Sequence, residues 1–306
     1  MSPFYKAKLL ICRHPPNPKI ANLGDAGCKS GSCECLPYSH PLATGIFVSK
    51  AAIIWQIISY EVMNPLLEGI FSTGQFKTSA GEYVQVHSET PRDQCIYLQD
   101  IIASHGYRFS LEIGFAFGTS TLAIGEAVVK NAGRHLVLDK YQHKVWKGHG
   151  VDLISQAGYE DHIEFREEFC YEVLPKLLEE GRVFDFVYID STKLFDWLMV
   201  DFFFIDKMIE PGGMIVFDDL KFGSIRKLLR YIAQLPHYKV YSQFPANEPM
   251  ELKWRLAGAL KYLPGMKKIL REELLVTDEA LGLNSRCVAL KKIQTDERNY
   301  DWHVKF

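Results

Sequence analysis

Short apolar runs alternate with helical patterns along most of the chain, from about residue 86 onward. The segments between the runs carry apolar residues at three- and four-residue spacing, with Gly or Pro near several ends. This alternation is typical of parallel strands joined by crossover helices, as in an α/β fold. The pattern predicts strands over 109–113, 135–139, 162–165, 184–190, 213–219, 238–244 and 286–293, and helices over 119–129, 151–157, 171–180, 194–209 and 224–234.

Two parts of the chain lie outside this alternation. Residues 1–85 begin with a loop rich in Pro, Cys and Gly, followed by a helical stretch over about 50–70, and we interpret them as an N-terminal cap. Residues 245–283 form an insertion with a basic helical pattern between the last two strands of the main domain, 86–306. The insertion is either an amphipathic surface helix pair or a lid over a substrate.

The charge composition argues against two classes of partner. The 306 residues include 35 basic and 37 acidic residues, for a formal net charge of -2. No basic field favours nucleic acid, and no lysine-rich run favours an anionic membrane. The start, MSPFYKAKLLICRHPP, has no apolar stretch long enough for a signal peptide, and the most apolar segment, AAIIWQIISY, ends after ten residues. We expect a cytoplasmic protein without nucleic-acid or membrane partners.

The cysteine pattern indicates reduced thiols. The seven cysteines are odd in number, and four are scattered singly: Cys12, Cys95, Cys170 and Cys287. One loop gathers possible metal ligands, namely Cys28, Cys33 and Cys35, with Cys12, His14 and His40 nearby. The C-x4-C-x-C spacing is not one of the usual zinc patterns, so a structural metal site and free loop thiols both stay open.

The stretch SLEIGFAFGTS, residues 110–120, predicts a strand that turns sharply into a helix. Gly114 and Gly118 stand where a ligand or a second backbone must come close. An ordinary strand-to-helix turn in any α/β protein would show the same glycines. The motif alone therefore does not fix a function.

Acidic residues stand at four predicted strand ends: Glu112, Asp139, Asp190 and the pair Asp218–Asp219. Ligands of an open parallel sheet bind beyond the carboxyl ends of its strands. Asp139 follows Gly118 by 21 residues, which places it to accept hydrogen bonds from ribose hydroxyls and predicts a nucleoside ligand. The motif lacks the third glycine of a dinucleotide turn, and Glu112 suits a cationic ligand with an amino-acid end better than a pyrophosphate.

Several ordered motifs resemble those of class I S-adenosylmethionine-dependent methyltransferases: LEIGFAFGTS, LVLD, FDFVYID and IEPGGMIVFDD. The resemblance spans about 95–293 and implies a doubly wound, Rossmann-like sheet of seven mostly parallel strands with the last strand antiparallel. It implies a methionine end lined by Glu112, Gly114 and Gly118, a ribose held by Asp139, and an adenine flanked by 168–171. The implied cofactor-binding residues are Glu112, Gly114, Phe115, Gly118, Thr119, Ser120, Asp139, Phe169, Cys170, Tyr171 and Asp190.

A narrower resemblance is to the catechol O-methyltransferase group and its metal-dependent relatives. In that group an Asp ends the fourth strand, a Lys follows three residues later, and an Asp-Asn or Asp-Asp pair ends the fifth strand. Asp190, Lys193 and the pair Asp218–Asp219, which begins 28 residues after Asp190, reproduce this spacing. The resemblance implies that Asp190, Asp218 and Asp219 bind Mg²⁺ or another divalent cation, and that Lys193 and Asp190 are catalytic.

Such a set of residues has a clear chemical use. Three carboxylates suit Mg²⁺ and leave room for two vicinal substrate oxygens. A phenol of pKa about 10 is ionised in about one part in a thousand at neutral pH, so presenting the phenolate costs roughly 4 kcal/mol. A divalent cation in contact with that oxygen supplies much of this free energy. Lys193 would accept the proton if burial or the metal lowered its pKa.

Simpler interpretations of the same residues stay open. The pair Asp218–Asp219 would also suit a loop start or a helix cap, and Lys193 a solvated position at a helix start. Asp219 stands where the catechol group has Asn, and Ser191–Thr192 stand where related sequences often carry His or aromatic residues. Three histidines are predicted to be surface or structural: His143, His149 and His162.

The predicted function is S-adenosylmethionine-dependent O-methylation of a small-molecule hydroxyl, assisted by a divalent metal ion. The alternatives are a metal-independent O- or N-methyltransferase, a nicotinamide-dependent oxidoreductase, and a binding protein that has lost turnover. The sequence names neither the methyl acceptor nor the oligomeric state, and a homo-oligomer is compatible with it.

Overall fold

The computed structural model describes residues 63–245 and 276–303, together with two short strands near the N-terminus. The chain divides into two compact units, Met1–Glu61 and Val62–Phe306. In the first unit, β1 (Cys35–Pro37) and β2 (Phe47–Ser49) pair as an antiparallel ribbon. The side chains of the predicted Cys28, Cys33 and Cys35 cluster lie outside the described residues.

The second unit begins with helix α1 (Pro65–Thr73) and an antiparallel hairpin of β3 (Gln75–Lys77) and β4 (Tyr83–Gln85). The Asn64 side chain caps α1 by accepting a hydrogen bond from the backbone N–H of Leu66 at 3.0 Å. Apolar side chains of this region are buried in one cluster with Phe115, Phe117 and Leu122 from the sheet side: Met63, Leu67, Ile70, Phe76 and Val86. The role of residues 1–85 as a cap stays a prediction.

A seven-stranded sheet forms the centre of the second unit. Its strands are β5 (Phe109–Ile113), β6 (Arg134–Leu138), β7 (Ile163–Arg166), β8 (Phe184–Ile189), β9 (Ile209–Phe217), β10 (Tyr238–Phe244) and β11 (Cys287–Lys292). Their order is β10-β11-β9-β8-β5-β6-β7. Strands β5 to β9 pair in parallel, whereas β11 is antiparallel to both β9 and β10. The predicted fold class, including the antiparallel last strand, is confirmed.

The strand ends agree closely with the sequence prediction. Strands β5 and β10 match their predicted bounds, and most other ends shift by one or two residues. Strand β9 begins at Ile209 rather than at 213, because Ile209 still pairs with Phe184 across a register irregularity in β8. The acids Asp139, Asp190 and Asp218 are each the first residue after a strand, which places all three at the carboxyl edge of the sheet.

Helices cover both faces of the sheet. They are α2 (Arg92–His105), α3 (Thr119–Lys130), α4 (His149–Gln156), α5 (Cys170–Glu179), α6 (Phe195–Met208) and α7 (Gly223–Ile232). Alternating strand residues face opposite layers: Leu111 and Ile113 pack with α5, α6 and α7, whereas Phe186 and Tyr188 pack with α2 and α3. This two-sided burial explains why the strands are apolar almost throughout. Of the predicted insertion 245–283, residues 246–275 lie outside the described part of the chain.

The ends of β5 and β8 approach closely at Gly114. This glycine has φ +104°, and a Cβ placed on it would lie 2.0 Å from the carbonyl oxygen of Asp190. The backbone N–H of Asp190 donates to the carbonyl of Ile113 at 3.0 Å, so the two strand ends stay paired at this level. Any side chain at position 114 would push the strand ends apart, and glycine is therefore required here.

We expect Gly114→Ala to lower the free energy of unfolding by about 3 kcal/mol or more, because it combines an unfavourable φ with a backbone clash. Gly158→Ala is a matched control, since Gly158 has φ +73° and no heavy atom within 4 Å of a built Cβ. The control should cost about 1 kcal/mol from its backbone conformation alone. Urea denaturation of both variants measures the difference, and equal losses would contradict the close approach.

Candidate active site

The carboxyl ends of β5, β6 and β8 border a cleft of about 260 Å³. Most residues that the resemblance assigned to the cofactor line it: Gly114, Phe115, Thr119, Ser120, Asp139, Phe169, Cys170 and Asp190. Glu112, Gly118 and Tyr171 contact lining residues instead of the cleft itself. The structure therefore brings most of the predicted site together, while each residue's role in binding stays a prediction.

Asp139 fixes the loop that follows β5. Its Oδ2 accepts hydrogen bonds from the backbone N–H groups of Phe115 at 3.0 Å and Ala116 at 3.2 Å. Its Oδ1 accepts one from the backbone N–H of Tyr141 at 2.7 Å. Ala116 is held at φ +48°, a conformation that is uncommon for a residue with a side chain. A carboxylate has about four acceptor positions. About one position therefore remains for a ligand hydroxyl.

Glu112 lies in the sheet, beneath the cleft, and acts through its neighbours. Its side chain is 0% exposed. Its Oε1 accepts a hydrogen bond from Ser120 Oγ at 2.5 Å, and its Oε2 lies 3.0 Å from His135 Nε2, whose Nδ1 pairs with Ser110 Oγ at 2.8 Å. Glu112 thus positions Ser120, which borders the cleft. His135 was not predicted as part of the site, because one polar residue in an apolar strand resembles an ordinary edge position.

Aromatic side chains border the cleft beside the start of α5. Phe169 lines it and stacks on Tyr171, with ring centroids 5.0 Å apart and an interplanar angle of 13°. Trp197 of α6 also lines the cleft and contacts Phe169 edge-on at 6.1 Å, while Lys140 Nζ lies 5.3 Å from the Phe169 ring centre. Sequence reasoning missed Trp197 and Lys140, because each lies in a segment that matched none of the motifs. These rings offer a surface on which a planar base can stack.

Lys193 lies between two carboxylates next to the cleft. Its Nζ is 2.8 Å from Asp190 Oδ1 and 2.9 Å from Asp219 Oδ2. Burial alone lowers the pKa of Lys193, but the two carboxylates raise it overall, so the side chain is held as a cation. Burial raises the pKa of Asp190 to about 6, against the opposing effect of Lys193. The arrangement therefore argues against Lys193 as the proton acceptor predicted from the sequence.

Asp218 is buried and already surrounded by donors. Its Oδ2 accepts hydrogen bonds from Gln94 Nε2 and from the Tyr188 hydroxyl, both at 2.8 Å, and its Oδ1 accepts one from the backbone N–H of Asp219 at 2.7 Å. Arg286 Nε lies 3.7 Å from Oδ1. Asp218 thus connects α2, β8 and β11 at the end of β9. Gln94 and Arg286 had no sequence signal, because their importance depends on contacts between distant parts of the chain.

The three carboxylates predicted to bind Mg²⁺ do not form one ligand set. Lys193 occupies the space between Asp190 and Asp219, and Asp218 directs its oxygens to protein donors. A divalent ion held by all three carboxylates, as the resemblance implied, would need their oxygens to converge on it, and they do not. The residues present therefore do not fit the predicted metal site in this arrangement.

Elsewhere in the part of the chain that the structure describes, one group lies close enough together for a metal ion: Asp206, His237 and Asp296. Lys292 Nζ is already 3.1 Å from Asp206 Oδ1, and Arg298 Nη2 is 2.6 Å from Asp296 Oδ2. These two cations neutralise both carboxylates. The group is therefore better described as a salt-bridge cluster than as a metal centre.

Residues 111–220, from β5 to just past β9, match a family model described as a methyltransferase domain. This part of the chain is similar to a methyltransferase domain. The resemblance to class I S-adenosylmethionine-dependent O-methyltransferases that the motifs predicted is confirmed.

The chain is also similar to curated relatives and to solved structures. Caffeoyl-CoA O-methyltransferase 1 from Eucalyptus globulus is 28% identical over 153 residues, which cover 46% of this chain and 60% of that protein. A catechol O-methyltransferase from Niastella koreensis is 30% identical over 117 residues, covering 36% of this chain and 48% of that protein. An O-methyltransferase from Bacillus cereus, solved in complex with SAH, has 21% identity and a TM-score of 0.49 over 62% of this chain and 89% of that chain. The similarity thus spans about 60% of the length of the curated caffeoyl-CoA relatives.

Two of the histidines predicted to be surface or structural lie outside the lining of the cleft. His143 is exposed and pairs with Glu167, and the ring of His149 stacks on that of Phe117 with centroids 5.6 Å apart. Neither histidine borders the cleft, which agrees with the predicted surface or structural role.

Among the described residues, no helix has the length and apolar character needed to cross a membrane.

A buried carboxylate lies behind the cleft. Asp201 of α6 is 0% exposed, and among the described residues neither of its oxygens has a hydrogen-bond donor in good geometry. Burial raises the pKa of Asp201 to about 6, and the nearby Cys170 thiol only partly offsets this. Burial also raises the pKa of the Cys170 thiol, so this cleft residue is not a reactive thiolate.

We expect this carboxylate to make the protein less stable as the pH rises from about 4 to about 6. In that range Asp201 of the unfolded chain, with a pKa near 3.8, has lost its proton while the folded state keeps it. The unfolded state then binds fewer protons, so the free energy of unfolding falls with rising pH. Asp201→Asn should remove this loss and raise the free energy of unfolding at pH 8 by about 2–3 kcal/mol.

Urea denaturation at pH 4.5 and pH 8 measures this effect. Asp196→Asn is the matched control, because Asp196 lies on the same helix but is exposed. The control should change stability little at either pH. An Asp201→Asn variant that is less stable than the wild type at pH 8 would show that the carboxylate has a stabilising partner.

Proposed function

We propose that this protein transfers a methyl group from S-adenosylmethionine to a hydroxyl oxygen of a small molecule. The observation that carries the proposal is a single cleft bordered by two carboxylates with different surroundings. Asp139 is fixed by the backbone of the loop after β5, whereas Asp190 is paired with Lys193. Asp139 suits a nucleoside, and Asp190 lies where a reacting group would approach.

The charge of the cleft supports this cofactor. Its charged lining residues are three acids and one base: Asp139, Glu168, Asp190 and Lys140. S-adenosylmethionine carries a sulfonium, an ammonium and a carboxylate, and is therefore a net cation. A dinucleotide carries two phosphate charges, which such a lining would repel. The same argument disfavours the nicotinamide-dependent oxidoreductase.

When bound, S-adenosylmethionine supplies a methyl group on a positively charged sulfur. The contribution of the protein is to place the acceptor oxygen in line with the bond to that methyl group, and such positioning accounts for much of the rate. Asp190 Oδ1 accepts a hydrogen bond from Lys193 at 2.8 Å, and in the described residues no hydrogen bond reaches its Oδ2. Oδ2 is therefore available to accept the proton of the acceptor hydroxyl.

The choice of an oxygen acceptor rests on two supports. Curated relatives of this chain carry the names caffeoyl-CoA O-methyltransferase and catechol O-methyltransferase. In this chain the ammonium of Lys193 lies beside Asp190, where a cation stabilises a developing phenolate. An amine acceptor would gain nothing from that charge.

The proposed reaction uses no divalent metal ion, although the sequence resemblance implied one. Lys193 lies between two of the three expected ligands, Asp190 and Asp219. The third ligand, Asp218, already accepts hydrogen bonds from protein donors. A binding protein without turnover remains the second candidate. It would bind the cofactor as the enzyme does, but would transfer no methyl group to any phenol.

We expect wild-type protein to bind S-adenosylhomocysteine in calorimetric titration, and Asp139→Asn to bind it about 10- to 100-fold more weakly. The substitution removes the charge that holds the loop and that strengthens hydrogen bonds to the ligand. Asp161→Asn is the control, because Asp161 is exposed and follows α4 at the other end of the sheet. It should leave the affinity unchanged.

Two results would contradict the proposal. One is the absence of any heat of binding with folded wild-type protein. The other is equal affinity for wild type and Asp139→Asn, which would place the ligand outside this cleft.

A further inference from the structure

We propose that the ammonium group of Lys193 is the resident cation beside the cleft, and that the wild-type protein takes no divalent metal ion there. Lys193 Nζ lies 2.8 Å from Asp190 Oδ1 and 2.9 Å from Asp219 Oδ2, so one charged nitrogen bridges both side chains. The inference extends the proposed function by naming the cation that faces the acceptor, but its test does not depend on catalysis.

The charges around this position already balance. Three carboxylates meet three cations: Asp190 and Asp219 share Lys193, Asp219 Oδ1 is 3.1 Å from Lys221 Nζ, and Asp218 Oδ1 is 3.7 Å from Arg286 Nε. A divalent ion added to this set would face no excess negative charge. It would also have to displace Lys193 and pay for dehydration, and Mg²⁺ dehydrates reluctantly.

Asp218 is unsuited to metal binding for a separate reason. It is 4% exposed, and its oxygens accept three hydrogen bonds, from Gln94, Tyr188 and the backbone of Asp219. Turning the carboxylate towards an ion would leave two buried donors unsatisfied. Each such loss costs about 1–3 kcal/mol. Asp218 therefore belongs to the framework of the sheet edge.

The identity of residue 219 agrees with this account. Asp219 carries a carboxylate that pairs with both Lys193 and Lys221, whereas an Asn at this position would bring no charge. Asp219 also has φ +61°, a conformation that Asn and Asp adopt more readily than most residues. The extra negative charge thus holds Lys193 in place rather than strengthening a metal site.

An ammonium group in place of a metal ion changes which acceptors the site can recognise. A metal ion favours two vicinal oxygens that bind it together. An ammonium group gives no such chelation and donates single hydrogen bonds. We therefore infer that this site recognises one acidic hydroxyl and does not require a second hydroxyl beside it.

Binding of Mn²⁺, followed by electron paramagnetic resonance of the free ion, tests the inference on the full chain. Wild-type protein should show no saturable binding at the Asp190 position at millimolar Mn²⁺. Lys193→Met keeps an unbranched side chain, one atom shorter than that of lysine, but leaves Asp190 and Asp219 without their shared cation. It should gain Mn²⁺ affinity by tenfold or more, and adding Asp219→Asn should abolish the gain.

Lys130→Met is the matched control, because Lys130 is an exposed lysine paired with Glu126 at 3.7 Å and lies at the opposite end of α3 from the cleft residues Thr119 and Ser120. It should not change Mn²⁺ binding. Lys193→Gln serves as a second variant, and cofactor titration together with thermal unfolding shows that each variant is folded.

Two outcomes would overturn the inference. The first is saturable Mn²⁺ binding by the wild type that Asp190→Asn abolishes, which needs no Lys193 variant. The second is a folded Lys193→Met or Lys193→Gln protein with no gain in Mn²⁺ affinity. If the wild type does not bind the cofactor, the proposed function is refuted. The Mn²⁺ result still tests the inference about Lys193 in that case.

Discussion

The contact between Gly114 and the backbone of Asp190 joins the two halves of the candidate site. Because position 114 carries no side chain, the ends of β5 and β8 lie against each other and their loops border the same cleft. Asp139 then fixes the first loop through backbone hydrogen bonds, and Asp190 extends from the second towards Lys193. A wider gap between these strands would separate the nucleoside side of the cleft from the acceptor side.

The second constraint is the balance of charge at the carboxyl edge of the sheet. Burying carboxylates is costly unless each has a partner. Lys193 and Arg286 provide partners near the cleft, whereas Asp201 lies deeper in α6 and has none in good geometry among the described residues. The carboxylates near the cleft thus have cationic partners, while Asp201 has none, and the fold tolerates the ionised form of Asp201 at a cost in stability.

The sequence predicted the parts of this structure that depend on local pattern. Apolar runs and their spacing gave the strands, and the position of Asp139 after β6 followed from the run LVLD and the distance to Gly118. The surroundings of Asp218 were beyond reach, because Gln94 and Tyr188 come from α2 and β8, far apart in the chain. Motif spacing placed Lys193 beside Asp190, but whether a lysine accepts a proton or replaces a metal ion depends on how many carboxylates surround it. That number is a property of the folded chain.

The central claim is that the cleft between Asp139 and Asp190 binds a sulfonium nucleoside rather than a dinucleotide. Native mass spectrometry of the folded protein tests it directly, with S-adenosylmethionine and NAD offered at equal concentration. We expect one equivalent of bound S-adenosylmethionine per chain and no complex with the dinucleotide. A complex with NAD, or no complex with S-adenosylmethionine, would contradict it.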